Sequence, residues 1–113
     1  MTRNEAGATG AATEEGDADM AGPAYDDRDG VIWLDGAMVP WREAKVHVLT
    51  HGLHYGSSVF EGERAYGGTI FRGREHSDRL LASGAAIDVR IPWTADQIDA
   101  AKAQVMAANG LED

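Results

Sequence analysis

The hydrophobic pattern of the chain begins with two short apolar runs that flank a polar turn. Val31–Leu34 consists of strand-forming residues, and Ala37–Pro40 follows after Asp35 and Gly36. Because aspartate and glycine both tolerate a positive φ, this dipeptide predicts a two-residue hairpin turn. The proline cannot donate to a strand ladder, so it should end the returning strand. The pattern therefore predicts a β-hairpin over residues 31–40.

Three further stretches have the composition of strands, namely residues 46–49, 59–66 and 69–71. A Gly-Gly pair separates the last two and predicts a tight turn between them. Residues 51–58 contain two glycines and two serines, which is typical of a shaped loop and not of an element interior. We expect these stretches to form antiparallel strands.

The hydrophobic period changes from two to that of a helix after residue 73. A first helix is predicted over residues 74–86, and Pro92 blocks its continuation. Thr94 and Gln97 have the spacing of a capping box, which predicts the start of a second helix, and Gly110 is its predicted C-cap. The apolar stripes of the two helices are Leu80, Leu81, Gly84 and Ile87, and then Ile98, Ala101, Val105 and Ala108.

Segregated strands and helices predict an α+β fold, in which an antiparallel sheet is covered on one face by two helices. A chain of 113 residues has room for one modest domain. Residues 1–28 are acidic and rich in alanine and glycine, which predicts a disordered tail before a single small domain at residues 29–113. Met20 precedes the foldable sequence, so residues 1–19 are either a dispensable upstream extension, which we favour, or a regulatory tail.

Charge and composition exclude several functional classes. The net charge is −9, and neither half of the chain offers the basic stripe that binds nucleic-acid backbones. No apolar run approaches about 20 residues, so no membrane span is expected, and the acidic N-terminus is not a secretory signal. The chain has no cysteine, which excludes disulfides and thiolate-zinc sites and fits a cytoplasmic location.

Three closely spaced histidines raise the alternative of a zinc site. His47, His51 and His54 could bring imidazoles together. However, the first pair spans a predicted change from strand to loop, and the glycine-containing loop lacks helical periodicity. No cysteine or well-placed carboxylate completes a ligand set. We therefore predict no metal site, and we interpret His76 as a helix-surface or capping residue.

Two motifs carry a resemblance to a known family. Residues 51–66 read HGLHYGSSVFEGERAY, and residues 71–80 read FRGREHSDRL. Together they resemble the fold-type IV pyridoxal-phosphate enzymes, and specifically the bacterial branched-chain aminotransferases; the resemblance extends from about residue 31 to the C-terminus. It implies the small N-terminal domain of such an enzyme, with pyridoxal 5′-phosphate as cofactor and amino acids and 2-oxo acids as substrates. It also implies a homodimer or larger homo-oligomer.

The resemblance assigns the cofactor phosphate to Arg79. A guanidinium offers a rigid bidentate fork to a phosphate and does not deprotonate. The alternative is a solvated helix arginine paired with Glu75. The family also implies that Tyr55 and Phe60 line the substrate pocket, with Tyr55 reaching the site of the partner subunit. Phe60 has the alternative of ordinary core packing.

Gly62 and Arg64 complete the implied substrate pocket. Gly62 would let substrate or cofactor approach the backbone, whereas the alternative is a simple β-bulge. Arg64 would lie near the same pocket, whereas the alternative is a strand-surface charge paired with Glu61 or Glu63.

The reaction of the family requires a lysine that forms a Schiff base with the cofactor. The chain contains only Lys45 and Lys102, and neither matches the family's catalytic lysine, which lies in a larger downstream domain. We therefore predict a fragment of a transaminase acting on leucine, isoleucine or valine, inactive alone, with an exposed apolar surface that promotes association. The alternatives are a non-catalytic small domain that binds a phosphorylated ligand or a protein, and a D-amino acid aminotransferase or aminodeoxychorismate lyase within the same fold type.

Overall fold

The computed structural model describes Gly22 and residues 24–112, so most of the tail predicted at residues 1–28 lies outside the described part of the chain. The last residues of that segment contact the domain. The Trp41 indole Nε1 donates to the Tyr25 carbonyl over 2.5 Å, and Arg42 Nε lies 2.7 Å from the Asp27 carboxylate. Contact with the domain therefore begins before residue 29.

The first hairpin is confirmed. Strands β1 (Val31–Leu34) and β2 (Ala37–Pro40) pair antiparallel, with Val31 opposite Pro40. Asp35 and Gly36 adopt φ values of 51° and 96°, as the predicted turn requires. The Val31 amide and carbonyl bond to a helix side chain and not to β2. Pro40 thus occupies a non-hydrogen-bonded position, where its missing N–H costs no ladder bond.

The second hairpin consists of β3 (Ala65–Tyr66) and β4 (Thr69–Ile70), which pair antiparallel. Gly67 and Gly68 form the predicted turn with φ values of 56° and 81°. The Glu112 carbonyl accepts from the Gly68 amide over 2.7 Å and fixes the turn against the end of the described chain. Within the described residues the two hairpins are separate two-stranded ribbons and do not share one ladder.

One predicted strand is wrong, and another is shorter than predicted. Residues 46–49 are irregular, and the predicted strand at residues 59–66 is confined to β3, with residues 59–64 irregular. The predicted loop at residues 51–58 contains a one-turn helix, α1 (His51–His54). Strand formers adopt a stable strand only when a neighbour satisfies their backbone groups, and no described strand pairs with these segments.

The two long helices are confirmed as α2 (Gly73–Ala86) and α3 (Ala95–Asn109), while residues 41–43 form a single 3₁₀ turn. The capping box is complete, because the Gln97 amide donates to Thr94 Oγ1 over 3.1 Å and the Thr94 amide donates to Gln97 Oε1 over 2.8 Å. Gly110 ends α3 with φ 64°, as predicted.

Packing brings α3 against both β1 and α2, which confirms the α+β fold. A Cβ added to Gly84 on α2 would lie 2.9 Å from Ile91 Cδ1 and 3.1 Å from the Val89 carbonyl oxygen, so this glycine permits a close approach. Ala101 on α3 is buried as predicted, whereas Ala108, predicted on the same apolar stripe, is exposed.

A side chain of α3 also bonds to the first hairpin. Asn109 Oδ1 accepts from the Val31 amide over 2.9 Å, and Asn109 Nδ2 donates to the Val31 carbonyl over 3.0 Å. Trp93, just before α3, packs edge-on against Trp33 of β1 with ring centroids 5.2 Å apart. These contacts fix the position of α3, against which α2 then packs.

Candidate functional site

Helix α2 presents Arg79 to the irregular segment before β3. Arg79 Nε lies 2.7 Å from Glu61 Oε2, and Arg79 Nη2 lies 2.7 Å from Glu61 Oε1. The Glu61 side chain is 6% exposed, whereas that of Arg79 is 67% exposed. The carboxylate is therefore buried beneath a guanidinium that remains open to solvent.

His76 lies one turn before Arg79 and contacts the same carboxylate. Its Nδ1 atom is 2.5 Å from Glu61 Oε1. Hydrogen bonds from Arg79 and then from His76 lower the pKa of Glu61 from 4.5 to about 2, against the opposing effect of burial. The Glu61 carboxylate therefore stays ionised at neutral pH. Sequence reasoning missed both Glu61 and His76, and the assignment of His76 to the helix surface or a cap is wrong.

Glu61 occupies one edge of the Arg79 guanidinium, the edge formed by Nε and Nη2. No other hydrogen bond to Arg79 is found within residues 24–112. The Nη1–Nη2 edge therefore keeps its donors for an oxyanion, in the bidentate geometry that guanidinium prefers. The alternative pairing of Arg79 with Glu75 is wrong, because Glu75 pairs with Arg72 over 3.1 Å.

Phe60 and Gly62 flank Glu61 along the chain, so the Glu61–Arg79 ion pair brings both beside α2. Phe60 is 85% exposed, so it does not pack into the core formed by the described residues. Gly62 lies outside a strand, so the bulge alternative is also wrong. A Cβ added to Gly62 would meet, among described atoms, only Phe60 Cε2 at 4.0 Å. Packing within the described chain therefore does not require glycine here.

Among the described residues, no hydrogen bond joins Tyr55 or Arg64 to Arg79. Tyr55 directly follows α1, and its ring contacts those of His51 and His54 with centroids 4.9 and 4.7 Å apart. The Arg64 guanidinium lies 5.6 Å from the ring centroid of Tyr66. Arg64 pairs with neither of the two glutamates offered as alternatives, since Glu61 binds Arg79 and Glu63 binds a lysine.

That lysine is Lys102, a residue of α3. Its Nζ atom is 2.7 Å from Glu63 Oε1 and 2.8 Å from the Gly73 carbonyl oxygen, and the side chain is 16% exposed. The ammonium group is thus held in a partly buried ion pair. This geometry suits a structural cation that ties α3 to the start of α2 and to the segment before β3.

A second polar contact fixes α2 against α3. Ser77 is fully buried and donates to Asp99 Oδ1 over 2.5 Å, while Arg74 Nη1 lies 3.2 Å from Asp99 Oδ2. The hydrogen bond from Ser77, followed by that from Arg74, lowers the pKa of Asp99. Because Ser77 lies two residues before Arg79, this contact helps to hold the site helix in place.

A cavity that is not lined by Arg79 lies elsewhere in the described domain. It is an open groove of about 740 Å³ between α3 and the two hairpins. Its lining is mostly apolar, and of the predicted site residues it includes only Arg64. Apolar lining residues include Trp33, Ile70, Leu80, Ile98, Val105 and Met106.

The described part of the chain holds neither a metal-binding cluster nor a membrane-spanning helix. Among the described residues, no three histidine, aspartate or glutamate side chains converge as a metal site would require. Within the same part of the chain, the helices are too short or too polar to cross a bilayer.

Comparison with known proteins gives consistent matches, although no protein-family model matches the chain. The branched-chain-amino-acid aminotransferase of Pseudomonas aeruginosa is 51% identical over 90 residues, which is 76% of this chain and 29% of that protein. The Escherichia coli K12 protein of the same name is 44% identical over 84 residues, 71% of this chain and 27% of that protein. The chain thus spans less than a third of the length of these relatives.

Solved structures agree with the sequence matches. A branched-chain aminotransferase from Thermoproteus uzoniensis, with norvaline, has a TM-score of 0.71 and 41% identity over 76% of this chain and 30% of its own. A T.th. branched-chain amino acid aminotransferase, complexed with N-(5′-phosphopyridoxyl)-L-glutamate, has a TM-score of 0.70 and 43% identity over 75% of this chain and 30% of its own. The described domain is therefore similar in sequence and in fold to a part of the branched-chain aminotransferases, which are fold-type IV enzymes.

Proposed function

We propose that this chain contributes the phosphate-binding arginine of a branched-chain aminotransferase. The full reaction converts leucine, isoleucine or valine and 2-oxoglutarate into the corresponding 2-oxo acid and glutamate, with pyridoxal 5′-phosphate as cofactor. Support comes from relatives of the same name and from solved relatives that contain a phosphopyridoxyl compound or pyridoxamine 5′-phosphate.

The observation that carries the proposal is the orientation of Arg79. A buried carboxylate takes one edge of its guanidinium, and the other edge, together with most of the side chain, faces solvent. A phosphate needs such an exposed, permanently charged fork. The donor chemistry at Arg79 therefore fits the cofactor's phosphate.

The remaining predicted residues would shape the substrate side of the site. Phe60 offers an exposed apolar ring, and Gly62 leaves the backbone beside it accessible. In the proposal these two line the pocket, and Tyr55 extends to the site of a second subunit in a homo-oligomer. Arg64 orders the same pocket. When bound, pyridoxal phosphate supplies an electron sink for charge that develops at the substrate Cα.

The amine that the reaction requires is not assigned to this chain. Lys102 is held by Glu63 and the Gly73 carbonyl, and Lys45 lies in an exposed irregular segment. We therefore propose that the 113-residue chain does not catalyse transamination by itself. A cytoplasmic location remains a prediction from the sequence.

Ligand binding by the chain itself tests the proposal. Binding of pyridoxal phosphate and of pyridoxal, which lacks the phosphate, would be measured by equilibrium dialysis for the wild type and for Arg79→Met. A hydrogen bond to a charged group contributes about 1.5–3 kcal/mol, so Arg79→Met should weaken pyridoxal phosphate binding roughly tenfold or more and leave pyridoxal binding unchanged. Arg90→Met, at an exposed arginine outside the Glu61 ion pair, is the matched control.

Two results would contradict the proposal. Equal binding of pyridoxal phosphate by the wild type and Arg79→Met would remove Arg79 as the phosphate ligand. Formation of glutamate from leucine and 2-oxoglutarate by the chain alone would show that one of its own lysines is sufficient.

A further inference from the structure

We infer that Glu61 is a positioning residue, which fixes Arg79 by its Nε–Nη2 edge so that the Nη1–Nη2 edge is the one that receives a phosphate. This inference rests on the proposed function and extends it to a residue that does not itself touch the ligand. Arg79 Nε and Nη2 stay bound to Glu61 when the anion binds.

The first argument is geometric. Both oxygens of Glu61 lie 2.7 Å from different nitrogens of Arg79, so the two planar groups meet as a side-on pair. A single hydrogen bond would leave the guanidinium free to rotate about it, whereas two parallel bonds fix its plane and its direction. The long arginine side chain otherwise loses rotamer entropy when it binds a ligand.

The second argument is burial. The Glu61 side chain is 6% exposed although it carries a charge, and such a group is normally retained only when it is fully bonded. His76 supplies a further contact to Oε1 at 2.5 Å from the preceding turn of α2. The carboxylate is thus fixed to α2 at two points, and a phosphate that displaced it from Arg79 would leave a buried charge short of a partner.

The third argument concerns charge. A carboxylate near a phosphate repels it, so Glu61 would weaken phosphate binding if it acted only as a charge. Positioning acts in the opposite direction. Replacing Glu61 by glutamine removes both its repulsion of phosphate and its orientation of Arg79. The effect of the lost charge alone is measured by neutralising a neighbouring acid that does not contact Arg79. Asp78 adjoins Arg79 on α2, is 62% exposed and pairs with Arg74, so Asp78→Asn is that control.

The test is a titration of the ¹³C,¹⁵N-labelled 113-residue chain with inorganic phosphate, followed through the Arg79 side-chain and Glu61 carboxyl resonances. We expect the Arg79 Nη signals to move while its Nε–Hε signal and the Glu61 carboxyl ¹³C shift stay in place. Movement of the Nε–Hε signal and the Glu61 carboxyl shift together would mean that phosphate displaces Glu61, which overturns the inference but leaves Arg79 as a phosphate ligand. No response of Arg79 at any concentration up to the tens-of-millimolar range would instead overturn the proposed function.

The variants give a second, independent readout at an ionic strength that screens distant charges. We expect Glu61→Gln to bind phosphate about fivefold more weakly than Asp78→Asn, because the guanidinium loses its fixed orientation. Equal or tighter binding by Glu61→Gln overturns the inference. Amide spectra establish that each variant is folded. If Glu61→Gln does not fold, the wild-type titration alone decides whether Glu61 stays bound to Arg79 when phosphate binds.

Discussion

At the scale of single residues, the described site depends on a carboxylate that is kept ionised. Arg79 and His76 lower the pKa of Glu61 from 4.5 to about 2. Because the folded pKa lies below the ordinary value, the ion pair contributes stability that is fully present above pH 4.5. That contribution is lost as the pH falls from 4.5 towards 2.

Removal of the arginine should therefore change the acid response of the protein. In Arg79→Met, we expect the pKa of Glu61 to rise, because its largest stabilising hydrogen bond is lost while burial still opposes ionisation. Acid unfolding, followed by circular dichroism, should then begin at a higher pH than in the wild type. Arg90→Met should leave the acid transition unchanged; an equal transition in Arg79→Met would contradict this account of Glu61.

At Gly84, tight packing and helix propensity have opposite effects on the stability of an alanine variant. Alanine is intrinsically the better helix former by about 1 kcal/mol. Gly84→Ala should nevertheless destabilise the domain by about 1–3 kcal/mol, because the new methyl group would lie 2.9 Å from Ile91 Cδ1 and 3.1 Å from a carbonyl oxygen. Urea unfolding measures the change. Ala82→Gly, at an exposed position of the same helix, should cost only the propensity difference, and a more stable Gly84→Ala variant would disprove the close packing.

The candidate site was only partly predictable from the sequence. The motif resemblance identified Arg79, but helical spacing offered Glu75 as its partner, and the structure supplies Glu61 from 18 residues away. Local charge patterns rank neighbours at three or four residues' distance. They carry no information about which segment a fold places against a helix, so the contacts of Glu61 with Arg79 and His76 could not be found in that way.

At the scale of elements, the local signals that encode backbone geometry were reliable. The Asp35–Gly36 and Gly67–Gly68 turns, the Thr94–Gln97 capping box and the Gly110 C-cap are all present in the structure. Each depends on the conformational preferences of a few adjacent residues. By contrast, residues 46–49 and 59–64 are composed like strands but lack a described partner. Strand formation depends on distant backbone, which is why composition failed there.

The contact between α3 and β1 gives a prediction for Asn109. Asn109→Asp keeps the acceptor for the Val31 amide but loses the donor to the Val31 and Val105 carbonyls, and it places negative charge beside both. We expect a loss of about 1–3 kcal/mol in the free energy of unfolding, measured with urea. Gln104→Glu makes the same charge change at an exposed position of α3 and should have little effect. Equal stability of the two variants would contradict the bridging role.

At the scale of the whole molecule, large apolar side chains are exposed over one stretch of the chain. An exposed apolar surface was predicted from the sequence, and six such residues lie between positions 46 and 60 at 59–85% exposure. Soluble monomers rarely leave extended apolar patches uncovered. The residues are Val46, Val48, Leu49, Leu53, Tyr55 and Phe60.

We therefore expect the 113-residue chain to associate at micromolar concentrations. Sedimentation velocity should show species larger than the 12.1 kDa monomer, and the double variant Leu53→Ser with Phe60→Ser should shift the distribution towards monomer. Val89→Ser, at another exposed apolar position, is the control. A wild-type chain that sediments as a monomer at all concentrations would show that this surface does not drive association.

The bonded state of Lys102 has a consequence for any experiment that uses a reactive aldehyde. An amine must present a free lone pair before it can attack a carbonyl, and the Lys102 Nζ atom is held by Glu63 and the Gly73 carbonyl. Of the two lysines, Lys45 in its exposed segment should therefore be labelled by an aldehyde in preference to Lys102. A peptide map after borohydride reduction would compare the labelling of Lys45 with that of Lys102, and substitution of Lys45 would remove the lysine-linked background.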